Sequence, residues 1–575
     1  MTDTPRRILV VGGVAGGMSF AARARRLDEN AEIIVFERGE HPSFANCGLP
    51  YFVSGEIVQE RSLLVQTPAS LKAALNLDVR VHHLVQGIDP ERQVIHVWVD
   101  PDDTEPTEFA YDELVLAPGT ITGIEEPAGA VAGDDKGTRA LMDAHRVTTL
   151  RTVGDAARLA AAVPNGKTAV VVGGGYIGVE AAEALRMRGL DVHIVQRGAH
   201  VLSRLDPEHA ALVAAELTGH GVRIHAGATV SEYRVDDDGV DVLLSTGENV
   251  RAELVVSAVG GRPATLLMSL PGLEVEADGR IVVDDHGRTN LPHVWAVGDA
   301  VTHVDPITGA NRAVELAGPA NRDGRLLADA MLGTNPRPRP TALGSSVIRV
   351  FDLTVAAVGA NEAELVAAGI PFETVNLHAN SHAGYFPGAQ PIHLVLHFSP
   401  GDGRIYGAQA VGRAGVDKRI DVIATAIRGG LRADDLIDLD LAYAPPYGSA
   451  KDPVNMAGMV ADNVLTGVTK HWYARDLADV QENALILDVR RRDEWDAGHL
   501  PGALHVPHTE LRERIDEVIA AADGRPVRAH CAAGLRSYLA HRILTAAGLD
   551  SATLSGGMQT LLATHGKDIL THEEH

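Results

Sequence analysis

Short apolar runs, each closed by glycine or by a charged residue, alternate with stretches of helical character along the first part of the chain. Arg7–Val11 (RILVV) runs into Gly12-Gly13-Val14-Ala15-Gly16-Gly17. The stretch from Ser19 to Leu27 suits a helix, and a second apolar run, Glu32–Phe36, is closed by Glu37. Runs that stay apolar instead of alternating are what a strand buried on both faces requires. The unit predicted is strand, glycine turn, helix, strand and acid, the pattern of a dinucleotide-binding βαβ unit. The pattern recurs where Thr168–Val172 leads into Gly173-Gly174-Gly175-Tyr176-Ile177-Gly178, a helix to about Gly189, and the run 191–195. Two such units in one chain imply two different nucleotides passing electrons between them.

Further along, residues 345–465 change character to alternating strands (347–351 and 393–398) with aromatic loops. After Gly467 another strand, 485–489, opens a final stretch long enough for one small α/β domain. Residues 336–340 (PRPRP) read as a rigid connector. The 575 residues predict about three to five structural units at roughly 100–200 residues each.

Charge and cysteine count narrow the function classes. The 51 Lys and Arg against 76 Asp and Glu leave a net charge of −25, which argues against a phosphate-neutralising nucleic-acid surface. No apolar run approaches the ~20 residues that span a bilayer, and the opening MTDTPRRILVVGG lacks a signal-peptide layout. A cytoplasmic protein bound to neither nucleic acid nor membrane is expected. Two cysteines make no disulfide framework and no Cys-rich metal centre, and no metal site is expected. Each thiol has to be weighed singly.

The glycines let a backbone approach a pyrophosphate whose charge is met by amides at a helix N-terminus. The second turn satisfies G-x-G-x-x-G at Gly173, Gly175 and Gly178, with Tyr176 and Ile177 opening the helix. In the first turn (Gly12, Gly13, Ala15, Gly16, Gly17) Val14 occupies the middle position. Glu37, followed by Arg38, stands where a carboxylate accepts both ribose hydroxyls of an adenosine. In the second unit Gln196, followed by Arg197, replaces that acid. The change removes repulsion against a 2′-phosphate and leaves NADH and NADPH both open.

Residues 289–299 (TNLPHVWAVGD), ending in Gly298 and Asp299, resemble the second FAD motif of the two-dinucleotide-binding flavoprotein reductases, in which the closing Asp bonds the ribityl chain. Residues 114–119 (LVLAPG) resemble the short strand linking their domains. The resemblance implies an α/β protein with two Rossmann-like domains. FAD would occupy a domain made of 1–150 and 276–344, and NAD(P) one at 151–275. An α+β dimerisation domain at 345–467 and a last α/β domain at 474–572 follow.

Cys47 lies in Ser43-Phe44-Ala45-Asn46-Cys47-Gly48-Leu49-Pro50. Phe52 stands where dithiol reductases carry a second cysteine, so one protein thiol must do the work with its disulfide partner supplied by substrate. The SFANCGLPY pattern resembles the coenzyme A-disulfide reductases and the single-cysteine NADH oxidases and peroxidases. Ala15 stands where the peroxidases carry a histidine, which removes a general acid from that position. The coenzyme A-disulfide reductase resemblance places substrate contacts on Ser19, Arg23, Arg26, Ser43 and Asn46. Arg23 and Arg26, three apart on a helix, share a face suited to phosphates. It also implies a homodimer, with Tyr443 from residues 443–453 (YAPPYGSAKDP) reaching the partner's thiol site, Lys451 near substrate, and Tyr385 as a second tyrosine. A family lysine falls near Leu75, with Lys72 three residues away.

Cys531 opens Cys531-Ala532-Ala533-Gly534-Leu535-Arg536-Ser537. Upstream stand Asp488-Val489-Arg490, Glu494-Trp495 and Gly498-His499. Both segments resemble a rhodanese domain. A loop aiming amides at a thiol, together with Arg536, is expected to lower the thiol pKa and stabilise a persulfide. The combined reading is an NAD(P)H- and FAD-dependent reductase of CoA persulfide, polysulfide or CoA disulfide at Cys47, with CoA as substrate or carrier and Cys531 relaying sulfane sulfur. Two other readings stay open at this point: an oxygen-reducing NADH oxidase cycling Cys47 through sulfenate, and a slowly turning redox-sensing sulfur-relay protein.

Overall fold

The computed structural model describes residues 5–99, 103–122, 146–333 and 335–572. It divides into two compact units, residues 1–201 with 220–344, and residues 202–219 with 345–575.

The first unit holds two five-stranded parallel sheets that share the order of four strands and differ in one edge strand, which comes last along the chain in one sheet and first in the other. In one, Arg7–Val11 is central, flanked by Glu32–Phe36 and then Asp78–Arg80 on one side, and by Glu113–Leu116 and then Val294–Ala296 on the other. In the other, Thr168–Val172 is central between Asp191–Gln196 and Leu254–Ser257, with Val222–Ala226 and Val147–Thr149 at the edges. The central strands are buried at four of five positions, as the non-alternating apolar runs require. Each sheet also has its own three-stranded antiparallel crossover, Leu84–Asp89, Val94–Trp98 and Thr107–Ala110 for the first, and Val230–Val235, Val240–Leu244 and Asn249–Ala252 for the second. In both sheets the strand order reverses beside the central strand, so a crevice opens at that strand's carboxyl end, where open α/β sheets take their ligands.

The second unit combines an antiparallel five-stranded sheet with a smaller parallel one. The antiparallel sheet runs Ser346–Val350, Leu353–Gly359, Ile405–Gly412, Pro391–Phe398 and Glu373–Asn380, and helices Val416–Gly429 and Pro453–Leu465 belong to the same unit. The parallel sheet has the order His471–Trp472, Ser551–Leu554, Val527–His530, Leu485–Asp488, Leu504–His505. Segment 202–219, with helix Pro207–Gly219, belongs to this unit. The anchor is a buried ion pair, His397 Nε2 to Asp206 Oδ2 at 2.7 Å, beside a hydrogen bond from the Asp206 amide to Gln409 Oε1 at 2.8 Å.

The fold therefore combines two Rossmann-like α/β domains, an α+β domain and a C-terminal parallel α/β domain. No helix among the described residues is long and apolar enough to cross a membrane.

Candidate functional site

The first glycine turn is tight for steric reasons. Gly12 sits at φ +103°, and a Cβ there would lie 2.0 Å from the Ala117 carbonyl oxygen, while one on Gly17 would lie 2.0 Å from the Gly12 oxygen. Helix Ala15–Leu27 starts with no side-chain cap and no acidic residue in its first turn, so its leading amides are left for an anion. Glu37 is buried, and its two carboxylate oxygens accept from the Gly13 amide at 2.8 Å and the Gly39 amide at 2.7 Å.

A cavity of about 320 Å³ runs from this turn, lined among others by Ala15, Glu37, Arg38, Arg151 and Asp299. Burial lowers the Arg38 pKa and raises that of Asp299, whose carboxylate lies 3.8 Å from Arg151. A cavity with bare amides at a helix start and two carboxylates in its lining, Glu37 and Asp299, fits FAD. Glu37 suits the adenosine ribose, the turn amides the pyrophosphate, and Asp299 beside Gly298 the ribityl chain.

The second turn repeats this construction. Gly173 has φ +105°, and a Cβ on Gly178 would meet the Gly173 oxygen at 1.9 Å. Gly175 has open space in front of it, and helix Tyr176–Met187 also begins uncapped and without an acid. Gln196 Oε1 accepts from the Gly174 amide at 2.9 Å, the contact that Glu37 makes to Gly13. The two positions are structurally equivalent, but here the group is neutral. Arg197 beside it is exposed, as are Gly175 and Ile177, a surface that suits a nicotinamide nucleotide.

Cys47 sits in the single turn Asn46–Gly48, just before helix Leu49–Ser54. Asn46 lines the large cavity. Ser43 adopts φ +48°, its amide bonded to the Gly13 oxygen at 2.8 Å, which ties the thiol loop to the glycine turn. Cys47 is exposed, yet the surrounding protein withdraws enough water to raise its thiol pKa, and the carboxylates of Glu180 and Asp299 push it further the same way. Glu180 was not singled out from sequence. Its place one turn into the helix after the second glycine turn was a readable signal, but its proximity to Cys47 is a product of folding.

Of the remaining expected contacts in this unit, Ser19 Oγ donates to Asn321 Oδ1 at 2.5 Å, and Arg23 pairs with Asp329 at 2.6 Å. Both partners lie on helix Ala317–Leu332. Arg26 is exposed, whereas its neighbour Arg25 is buried and donates to the carbonyls of Asp28, Glu29, Leu75 and Asn76. Arg25 therefore closes the C-terminal end of the first helix, and only Arg23 and Arg26 point elsewhere.

In the second unit the two expected tyrosines come together. The hydroxyls of Tyr385 and Tyr443 are 2.9 Å apart, with the Tyr385 side chain 77% exposed, and the Tyr443 pKa is raised by this bond. Behind them Arg419, fully buried, holds Asp452 at 2.8 Å and donates to the Ser381 carbonyl at 2.9 Å. Asp452 also caps helix Pro453–Leu465 through the Val454 amide. One buried ion pair thus fixes both tyrosine-bearing loops, with Lys451 exposed beside it.

Cys531 is 1% exposed. Its Sγ accepts from the Gly534 amide at 3.2 Å and from the Ser537 hydroxyl at 3.4 Å. Gly534 has φ +101°, which turns the loop around the sulfur ahead of helix Leu535–Ala546. Arg536, expected to act on the thiol by its charge, is also a bidentate partner of Glu494, at 2.5 and 2.7 Å, and Cys531 is among the groups whose charge acts on it. Glu494 stands in the sequence signature with no role evident there, and Ser537 stands in the loop with no sign in the sequence that its hydroxyl reaches the sulfur.

Comparison with known proteins agrees with this construction. Residues 6–324 match the pyridine nucleotide-disulphide oxidoreductases, 345–453 their dimerisation domain and 469–564 the rhodanese-like domain. The chain is 33% identical to the coenzyme A disulfide reductase of Staphylococcus haemolyticus over 463 residues, covering 79% of this chain and 99% of the relative. Reduced Bacillus anthracis CoADR-RHD superposes with a TM-score of 0.92 at 39% identity, over 99% of both chains. A NAD-dependent persulfide reductase from A. fulgidus does so at 0.86 and 33%, over 96% of this chain and 99% of that one. A water-forming NADH oxidase from Lactobacillus brevis, at 24% identity and a TM-score of 0.73 over 80% of this chain and 99% of that one, shares the fold alone. The chain belongs to the pyridine nucleotide-disulphide oxidoreductases and carries a rhodanese-like domain at its C-terminal end.

Proposed function

We propose that this protein is an FAD-dependent reductase that uses NAD(P)H to cleave sulfur–sulfur bonds of coenzyme A species at Cys47, with its rhodanese domain relaying sulfane sulfur through Cys531. One observation carries the reading: the chain has two cysteines, one in the loop tied to the first glycine turn and one in a loop whose Gly534 amide and Ser537 hydroxyl hold its sulfur. Relatives named for CoA disulfide and persulfide reduction support it.

FAD, when bound, supplies the reducing electron pair to the thiol site, and the uncapped turn at Gly173–Gly178 suits the nicotinamide donor. Cys47 thiolate attacks the inner sulfur of CoA–S–SH, hydrosulfide leaves, and a Cys47–S–S–CoA mixed disulfide remains for two-electron cleavage. With CoA disulfide the leaving group is CoA thiolate. Ser43 and Asn46 hold the loop and its rim, while Ser19, Arg23 and Arg26 are assigned to the CoA moiety. Tyr443 and Tyr385 are assigned to the thiol site of the partner subunit in a homodimer, with Lys451 beside substrate.

The test is anaerobic NAD(P)H oxidation with CoA persulfide and CoA disulfide, using wild-type and Cys531→Ser proteins. Cys531→Ser is expected to keep persulfide reduction and lose sulfur transfer from a sulfane donor. Loss of both activities would overturn the two-site scheme, and NAD(P)H oxidation that begins only when oxygen is admitted, with neither CoA species turned over, would make the protein an oxidase.

A further inference from the structure

Strand Ser551–Leu554 meets helix Leu535–Ala546 through polar groups, where layers of an α/β domain usually meet through apolar ones. His541 bonds Ser551 at 2.7 Å, and Thr553 Oγ1 donates to Ser537 Oγ at 2.7 Å. Thr553 and Ser537 are buried, so each hydroxyl needs a partner inside the protein. A valine at 553 would fill the same space with no polar group to desolvate. Among the described residues the Thr553 hydroxyl bonds Ser537 alone. Ser537 accepts there, which leaves its own proton two acceptors, the Gly534 carbonyl at 3.0 Å and Cys531 Sγ at 3.4 Å. A neutral thiol is a weak acceptor, and the nearer carbonyl holds the proton; an anionic sulfur competes for it through a charge-assisted bond. The bond that Ser537 accepts polarises its O–H and strengthens the one it donates. Charge also reaches the sulfur from elsewhere. The helix begins without a side-chain cap, Arg536, held by Glu494, interacts with the Cys531 charge, and His530 stands beside Asp488, which holds Arg490.

We propose that Thr553 is a positioning residue of the Cys531 site: its hydroxyl occupies the acceptor position of Ser537, so that the Ser537 proton turns from the Gly534 carbonyl to Cys531 Sγ when the sulfur becomes a thiolate. The inference rests on the relay reading of the rhodanese domain and adds the hydroxyl pair that favours the attacking form. No proton passes along the pair. The Ser537 hydroxyl rotates about its C–O bond, and the proton lost by the thiol goes to water. Without the Thr553 hydroxyl the Ser537 oxygen is a buried acceptor with no donor behind it, and its hold on the thiolate weakens. When sulfur is loaded, the charge moves to the outer atom of the persulfide and the Ser537 proton returns to the Gly534 carbonyl. The pair therefore acts on loading and not on the loaded state.

The experiment uses the full-length chain carrying Cys47→Ser, so that one thiol reports. The Cys531 thiolate is titrated by its ultraviolet absorbance, read against a chain that also carries Cys531→Ser. Loading of one sulfur atom from CoA persulfide is followed by intact-protein mass. Thr553→Val, which keeps the side-chain shape, is expected to move the titration midpoint upward and to leave about threefold less thiolate below it, with loading slowed by the same factor. Thr553→Ser restores the hydroxyl and is expected to return both to the parent values. Ser537→Ala is expected to move the midpoint at least as far, and Thr553→Val added to it is expected to change nothing more, as a residue acting through Ser537 requires. A midpoint unmoved by Thr553→Val, whatever happens to stability, overturns the inference and leaves the relay standing. So does a Thr553→Val effect that persists in the Ser537→Ala chain. A parent chain that takes no sulfur from CoA persulfide at any pH overturns the relay reading and the inference with it, and leaves reduction at Cys47 as a separate measurement.

Discussion

Glu180 and Asp299 act on Cys47 with the same sign as burial, so the resting thiol is held in its protonated form at neutral pH. Two carboxylates beside a nucleophile look counterproductive until the leaving groups are considered. A thiolate that is scarce at rest is protected from adventitious oxidation, and its basicity makes it the stronger nucleophile once formed. The direction can be checked. In the reduced protein, Glu180→Gln removes one like charge, lowers the Cys47 pKa and is expected to raise the iodoacetamide alkylation rate at pH 8 by about three- to tenfold. The rate should climb with pH in both proteins, with the variant's midpoint lower, and an unchanged midpoint would remove Glu180 from the thiol's surroundings. Much at this scale was legible in the sequence. The equivalence of Glu37 and Gln196 follows from spacing alone, because each closes the strand beside a glycine turn. The partners of Arg23 and Arg536 were not, because Asp329 and Glu494 lie far along the chain and only folding brings them near.

At the scale of elements, the edge strand Glu373–Asn380 carries the C-terminal domain. Tyr473 donates to Glu373 at 2.5 Å and accepts from the Thr374 amide, the Asn376 amide donates to Ser555 at 3.0 Å, and His378 pairs with Thr560 at 2.9 Å. The loop holding Ser555 continues into Gly557, where a Cβ would lie 2.6 Å from the Cys531 oxygen, so the seat also buttresses the thiol cradle. Tyr473→Phe strands Glu373 and the Thr374 amide at a cost of about 1–3 kcal/mol, expected as faster hydrogen exchange over 373–378. The same region sets an acid limit. Burial foremost pulls His209 down to about 4, His378 to about 3 and His471 to about 4. Near these groups stand the Asp206–His397 pair, His393, His541 and Glu208, the last pushed up to about 7 by burial and Asp206.

For each histidine the folded pKa lies below the unfolded one, so its stabilisation is full above about pH 6.5 and is lost as pH falls toward 3–4. Glu208 runs the other way, contributing below its ordinary carboxylate value and losing that as pH rises through 7. Three histidines outweigh one carboxyl, and the unfolding midpoint of the second unit is expected to drop between pH 6.5 and 4, a drop that His378→Gln makes shallower. None of these pairings was readable from periodicity. The strands His471–Trp472 and Val147–Thr149 were also missed, being too short to show a pattern, and they extend their sheets slightly before the expected boundaries at 474 and 151.

For the molecule as a whole, the order of motifs made four domains legible, whereas the grouping of segment 202–219 with the C-terminal unit rests on the buried Asp206–His397 pair and had no local signal. The pairing of Tyr385 with Tyr443 belongs to this scale too, because two exposed tyrosines bonded to each other and mounted on a buried Arg419–Asp452 pair are rigid parts with no interior to serve. Arg419→Met leaves Asp452 as an uncompensated buried charge, at a cost of about 3–5 kcal/mol, expected as a lower urea midpoint. The proposed assignment of Tyr443 to the partner's thiol site makes a sharper demand. Tyr443→Ala and Cys47→Ser chains each lack one component, and in a homodimer with shared sites a mixed dimer pairs an intact Cys47 from one chain with an intact Tyr443 from the other. Mixed dimers, isolated by two affinity tags, are expected to recover about half the wild-type CoA persulfide turnover, one site of two. If each chain instead builds its site from its own residues, the mixed dimer stays no more active than the average of its two parents, and the tyrosine pair must be given another role.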